Sequence, residues 1–110
     1  MLYSIFAYDV PNSLPLREKA RPAHVARLKE LDRANHLIIA GPNPAIDNMQ
    51  PGEAGFTGSL IVAYFSSLEA AKLWANSDPY VAAGVYDRVE VKPFKQVLPE
   101  ANKDAIQRDS

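Results

Sequence analysis

Cysteine is absent from this chain. That excludes a disulfide, a thiolate nucleophile and a cysteine-ligated metal, and it agrees with a reducing compartment. Histidine is scarce: His24 and His36 are twelve positions apart and no H-E-x-x-H occurs, so no dedicated metal site is expected. The five glycines form neither G-x-G-x-x-G nor a Walker loop, which argues against a bound nucleotide. The expectation is a protein with neither metal nor organic cofactor. Charge of one sign is also lacking. Twelve Lys and Arg face thirteen Asp and Glu, for a net charge of −1, and this gives no broad pull toward nucleic acid or anionic lipid. The longest uncharged apolar stretch, "GFTGSLIVAYFSSL", falls short of the ~20 residues a membrane helix needs. The start, "MLYSIFAYDV", has no basic region and no small-residue cleavage site, so it does not read as a signal peptide. A cytoplasmic protein that binds neither membrane nor nucleic acid is expected.

The residues that are present specify a fold. Hydrophobic residues make up 47% of the 110 positions and charged residues 23%, which suits one folded domain. "LYSIFAY" (2–8) is β-branched and aromatic and stops at Asp9 and Pro11, as a strand does. "PNSLP" (11–15) can begin a helix, with Asn12 or Ser13 as N-cap and Pro15 in the first turn. A helical pattern runs from about 16 to 34, and Pro22 interrupts it. An interior proline removes a hydrogen bond and clashes one turn back, so two helices are predicted here, the second starting at Pro22. "LIIAGP" (37–42) reads as a strand, and 43–58 as a long loop or hairpin connection rich in proline and glycine. "SLIVAYF" (59–65) is a third strand, and Ser67 caps the helical "LEAAKLWANS". "DPYVAAG" is a turn with a short helical piece, and "VYDRVEVKPF" (85–94) is a fourth strand whose Pro93 points to a sheet edge.

The order β-α-β-β-α-β predicts an α+β, ferredoxin-like antiparallel sheet with both helices on one face. Two strands are apolar on both sides. Ile61, Ala63 and Phe65 alternate with Leu60, Val62 and Tyr64, and Ile5 is opposed by Phe6 and Tyr8. Such strands are buried on both faces, yet two helices cover only one. A second copy stacked on the bare face removes a large exposed apolar patch, so a homodimer, a dimeric α/β barrel, is expected.

Several segments together resemble a known family. "RPAHVARLKEL", "AGPNPA", "GFTGS", "DPYVAAGVY" and "VKPFK", in this order, are similar to the YciI family (YCII-related domain) of small bacterial proteins. The resemblance marks residues 1–98 as a YciI-like domain and leaves 99–110, "PEANKDAIQRDS", as a polar C-terminal extension. It implies the same ferredoxin-like dimer. It also implies a site built on a histidine and an aspartate, which match His24 and Asp78 here. Some relatives are dehydrochlorinases of chlorinated hydroxyquinols, while most have no assigned activity.

The residues themselves support two readings of each position. His24 lies between Leu28 and Leu31 on the helical wheel, so it faces the interior. With a helix start at Pro22 it would sit in the first turn, among unpaired backbone N–H groups. It is then either a general base or a core histidine bonded to backbone. Asp78 before Pro79 is an N-cap signature; a carboxylate has a second oxygen that can orient the histidine and stabilise its imidazolium. Arg21, three residues before His24, can bind an anion or remain a solvated surface charge. Ser59 can hydrogen-bond a ligand but lacks a G-x-S-x-G elbow. Tyr80 offers an aromatic wall or simply fills core. The leading expectation is a small enzyme doing acid–base, lyase-like chemistry on a small phenolic molecule, with His24 and Asp78 catalytic and Arg21, Ser59 and Tyr80 binding substrate. The alternatives are a non-catalytic ligand-binding or sensory dimer and a purely structural one.

Overall fold

The computed structural model describes residues 1–100; most of the extension expected at 99–110 lies outside the described residues. The elements are β1 (Leu2–Asp9), α1 (Leu14–Arg33), β2 (Leu37–Pro44), β3 (Phe56–Tyr64), α2 (Leu68–Asn76), α3 (Pro79–Ala82) and β4 (Tyr86–Phe94), with a 3-10 turn at Gly52–Ala54 ahead of β3. The strands form one sheet in the order β2-β3-β1-β4, every neighbouring pair antiparallel. This is the ferredoxin-like arrangement expected from the periodicity. β4 is an edge strand, as Pro93 required.

The core lies between the sheet and the helices. Tyr3 and Ile5 from β1, Ile61 and Ala63 from β3, and Phe65 pack with Ala71 and Ala75 of α2, while Leu28 and Leu31 of α1 close over them. Ser67 caps α2 by accepting the Ala70 N–H at 3.0 Å, as its sequence position predicts. The opposite face carries Phe6 paired with Leu60, Ser4 with Val62 and Leu2 with Tyr64 across β1 and β3, and Tyr8 and Ile39 are exposed. This face is not apolar throughout. On β4 it presents Arg88, Glu90 and Lys92, whose cations lie over Tyr8 at 4.2 Å and Phe6 at 5.7 Å.

Two boundaries and one cap differ from the sequence reading. α1 is one continuous helix of 20 residues with Pro22 inside it, not two. Pro22 withholds a hydrogen bond from the Glu18 carbonyl, but Glu18 and Pro22 are both exposed, so water can take that acceptor. Continuity keeps one buried stripe on one helix, which offsets the local cost. The connection expected at 43–58 is shorter, because β2 runs on to Pro44 and β3 begins at Phe56. Ser13 occupies the N-cap of α1 but makes no side-chain cap; its hydroxyl donates to Asp9 Oδ2 at 2.6 Å instead.

Gly58 marks a close approach. It pairs with Tyr8 on β1 and Asn43 on β2, and a Cβ there would run into the Ala7 carbonyl oxygen. Gly58→Ala is therefore expected to lower stability by about 1–3 kcal/mol, read from the urea midpoint. An unchanged midpoint would show that β1 and β3 separate locally without cost.

Candidate functional site

Arg17, Arg21, His24 and Leu28 are spaced four, three and four residues apart on α1, one stripe of a single helix. They form one wall of a cavity of about 210 Å³. Ala40 and Pro42 of β2, Ser59 and Ile61 of β3, and Tyr80 of α3 complete it. The stripe exists because α1 runs unbroken through Pro22. With it falls the expectation that His24 sits in a first helical turn: the ring is in the helix interior, and the helix dipole has no special hold on it.

His24 and Asp78 meet. Nδ1 of His24 lies 2.8 Å from Asp78 Oδ1 and 2.9 Å from Oδ2, with the two residues 7% and 2% exposed. A carboxylate only accepts, so Nδ1 carries the hydrogen and Nε2 is the ring's free nitrogen on the cavity side. Asp78 sits behind the ring rather than on the cavity wall. It also caps α3, accepting the Tyr80 N–H at 2.8 Å, so cap and orienting contact coexist on one carboxylate. Arg27 stands on its far side, with Nη1 3.5 Å from Asp78 Oδ2 and Nη2 donating to the Trp74 carbonyl at 2.8 Å. Tyr80 stacks on the His24 ring, centroids 3.9 Å apart and planes within 9°. The ring is thus held by a hydrogen bond at one edge and an aromatic face against its plane.

A second polar cluster lies beside the first. Arg17 is buried and grips Asp9 with Nε at 2.6 Å and Nη2 at 3.0 Å. Its Nη2 also donates to the Gly58 carbonyl at 2.9 Å and to Ser59 Oγ at 3.0 Å. The Tyr86 hydroxyl donates to the same Ser59 Oγ at 2.9 Å. Burial works against the Arg17 charge, but the hydrogen bond and attraction from Asp9 outweigh it and hold its pKa above the ordinary arginine value. Burial pushes the Tyr80 phenol upward, opposed by the nearby Arg17 and Arg21 charges. It pushes the Tyr86 phenol up further, opposed by the Arg17 charge. Both phenols are neutral at physiological pH.

Of the five residues singled out from sequence, Arg21, His24, Ser59 and Tyr80 line one cavity, and Asp78 touches it through His24. Arg21 is exposed at its rim. Sequence reasoning missed Arg17, Asp9, Tyr86 and Arg27. The signal for Arg17 was available, since it falls seven residues before His24 on the same stripe. Among the described residues, no group of three His, Cys, Asp or Glu side chains is placed to hold a metal ion, and no helix is long and apolar enough to cross a membrane.

Residues 1–95 match the YCII-related domain. The chain belongs to the YCII-related domain family. This family member is 60% identical over 98 residues to an uncharacterised protein of Haemophilus influenzae, covering 89% of this chain and 100% of that one. It is 59% identical to Protein YciI of Escherichia coli over the same length and shares. Among solved structures it is similar to the 5-chloro-2-hydroxyhydroquinone dehydrochlorinase of Burkholderia phenoliruptrix AC1100, in complex with 2,5-dihydroxybenzoquinone. That likeness has a TM-score of 0.77 at 26% identity and covers 87% of this chain and 95% of the other.

Proposed function

We propose that this YCII-related protein is a small cytoplasmic enzyme that performs cofactor-independent acid–base chemistry, of the lyase or dehydrochlorinase kind, on a small phenolic molecule. The observation that carries the reading is the buried His24–Asp78 contact at 2.8 Å opening onto a cavity. In this reading Nε2 of His24 takes a proton from the substrate. The electron pair left behind expels a leaving group from the neighbouring carbon, and the imidazolium is stabilised by Asp78 until it returns the proton to solvent. Arg21, Ser59 and Tyr80 hold the substrate. The dehydrochlorinase with the same fold supports this reaction class. The test is a panel of hydroxyquinols with and without a ring halogen, followed by halide release and by ultraviolet absorbance. Turnover by the wild-type chain supports the reading, and a panel that binds without reacting returns the site to a binding role.

The working unit in this proposal is a homodimer, stacked through the outer sheet face around the half-buried Phe6, Leu60 and Tyr64. Apolar surface of this kind favours self-association. Light scattering at low micromolar concentration is expected to give twice the chain mass. A monomer that keeps its circular dichroism and thermal midpoint would overturn it.

A further inference from the structure

Ser59 Oγ has two lone pairs and one hydrogen. Both lone pairs are taken. Arg17 Nη2 donates to it at 3.0 Å and the Tyr86 hydroxyl at 2.9 Å. The directions follow from chemistry: arginine only donates, and the Tyr86 hydroxyl has no other acceptor among the described residues. The Ser59 hydrogen therefore has no acceptor among the described residues, although Ser59 is 5% exposed and lines the cavity. A buried donor without a partner is costly, and a ligand oxygen would relieve it.

Arg17 adds a fixed positive charge. Its Nε and Nη2 are held by Asp9, Gly58 and Ser59, and its guanidinium lies over the Tyr80 ring, 5.1 Å from the centroid. Arg17 and Arg21 line the cavity, and no carboxylate does. Asp9 is turned to the back of Arg17, and Asp78 lies behind His24. The cavity thus brings the Arg17 and Arg21 charges and the Ser59 hydroxyl together with the His24 ring.

We infer that Ser59 and Arg17 form an oxyanion subsite, and that the ligands of this cavity are small molecules carrying an ionised oxygen conjugated to the reacting carbon frame. The anionic oxygen accepts the Ser59 O–H and is neutralised by the Arg17 charge held beside it, which leaves the reacting position toward His24. Tyr86 is a positioning residue: by occupying a Ser59 lone pair it keeps the serine hydrogen aimed at the ligand. The direction of the reacting position rests on the acid–base reading of His24; the subsite itself does not.

The test is a binding measurement by isothermal titration calorimetry at pH 7. Its probes are 2,5-dihydroxybenzoquinone, which is ionised there, and hydroquinone, which has a similar ring and is neutral. The wild-type chain is expected to bind the ionised probe at least about tenfold more tightly. Ser59→Ala is expected to weaken the ionised probe by about tenfold and hydroquinone by a smaller factor, so that the preference between them falls. Tyr86→Phe keeps the serine and is expected to weaken the ionised probe by a smaller factor; it carries the test if Ser59→Ala does not fold. His24→Ala is expected to keep the preference for the ionised probe. Equal affinity for the two probes, no binding of either, or a preference that survives both Ser59→Ala and Tyr86→Phe overturns the inference. Preferential binding of the ionised probe without turnover of any hydroxyquinol leaves the subsite standing and overturns only the enzymatic reading.

Discussion

Replacing His24 with alanine is expected to lower turnover of any substrate the wild-type chain accepts by roughly 10²–10⁴-fold, with little change in ligand affinity. The reason is geometric. Nδ1 is committed to Asp78 at 2.8 Å, so Nε2 is the nitrogen available to move a proton, and no carboxylate or second imidazole lines the cavity. The variant should fold, because Asp78 keeps the Tyr80 N–H and the Arg27 guanidinium as partners. Asp78→Asn supplies the sharper control. Its carbonyl oxygen in the place of Oδ1 can still cap α3 and accept from Nδ1, but the neutral amide no longer stabilises the imidazolium that forms when the ring takes a proton. A loss in the same range is expected from this change of one atom, with the thermal midpoint little altered. Initial rates under saturating substrate decide it. Rates within a factor of two or so of wild type in both variants would remove His24 from the chemistry.

The largest effect on stability is expected from Asp9→Ala. Arg17 and Asp9 form a pair 2.6 Å apart with side chains 7% and 1% exposed. Removing the carboxylate leaves a guanidinium buried with no counter-charge and frees the Ser13 hydroxyl as well. Breaking a buried pair on one side costs about 3–5 kcal/mol, which for a domain of this size lowers Tm by roughly 10–20 °C. The double variant Asp9→Leu with Arg17→Met is expected to recover much of that loss, since an apolar pair of similar volume is often neutral. The pair is then retained for what Arg17 does in the cavity rather than for stability. Chemical denaturation of the wild type, Asp9→Ala and the double variant tests this. An Asp9→Ala midpoint equal to wild type would show that water reaches the guanidinium.

Local pattern was enough to determine the β-α-β-β-α-β order, the caps at Ser67 and Asp78, the edge position of β4 and the inward direction of His24. Each of these depends on residues within one or two turns of each other, where period, branching and capping chemistry act directly. What local pattern could not determine lies at longer range. The 54 positions between His24 and Asp78 close only when α3 is laid against α1, and the pairing was expected from family resemblance rather than from spacing. Arg17 was missed because its counter-charge sits at the end of a strand and its other partners lie on β3, 41 and 42 residues away. Pro22 looked like a helix end because its local cost is visible in sequence. The compensation is not, since it comes from packing a continuous stripe of Arg17, His24 and Leu28 against the sheet and the cavity. Burial is a property of the assembled layers, and it alone turns a mid-helix arginine and a strand serine into a fixed charge and a donor at the cavity.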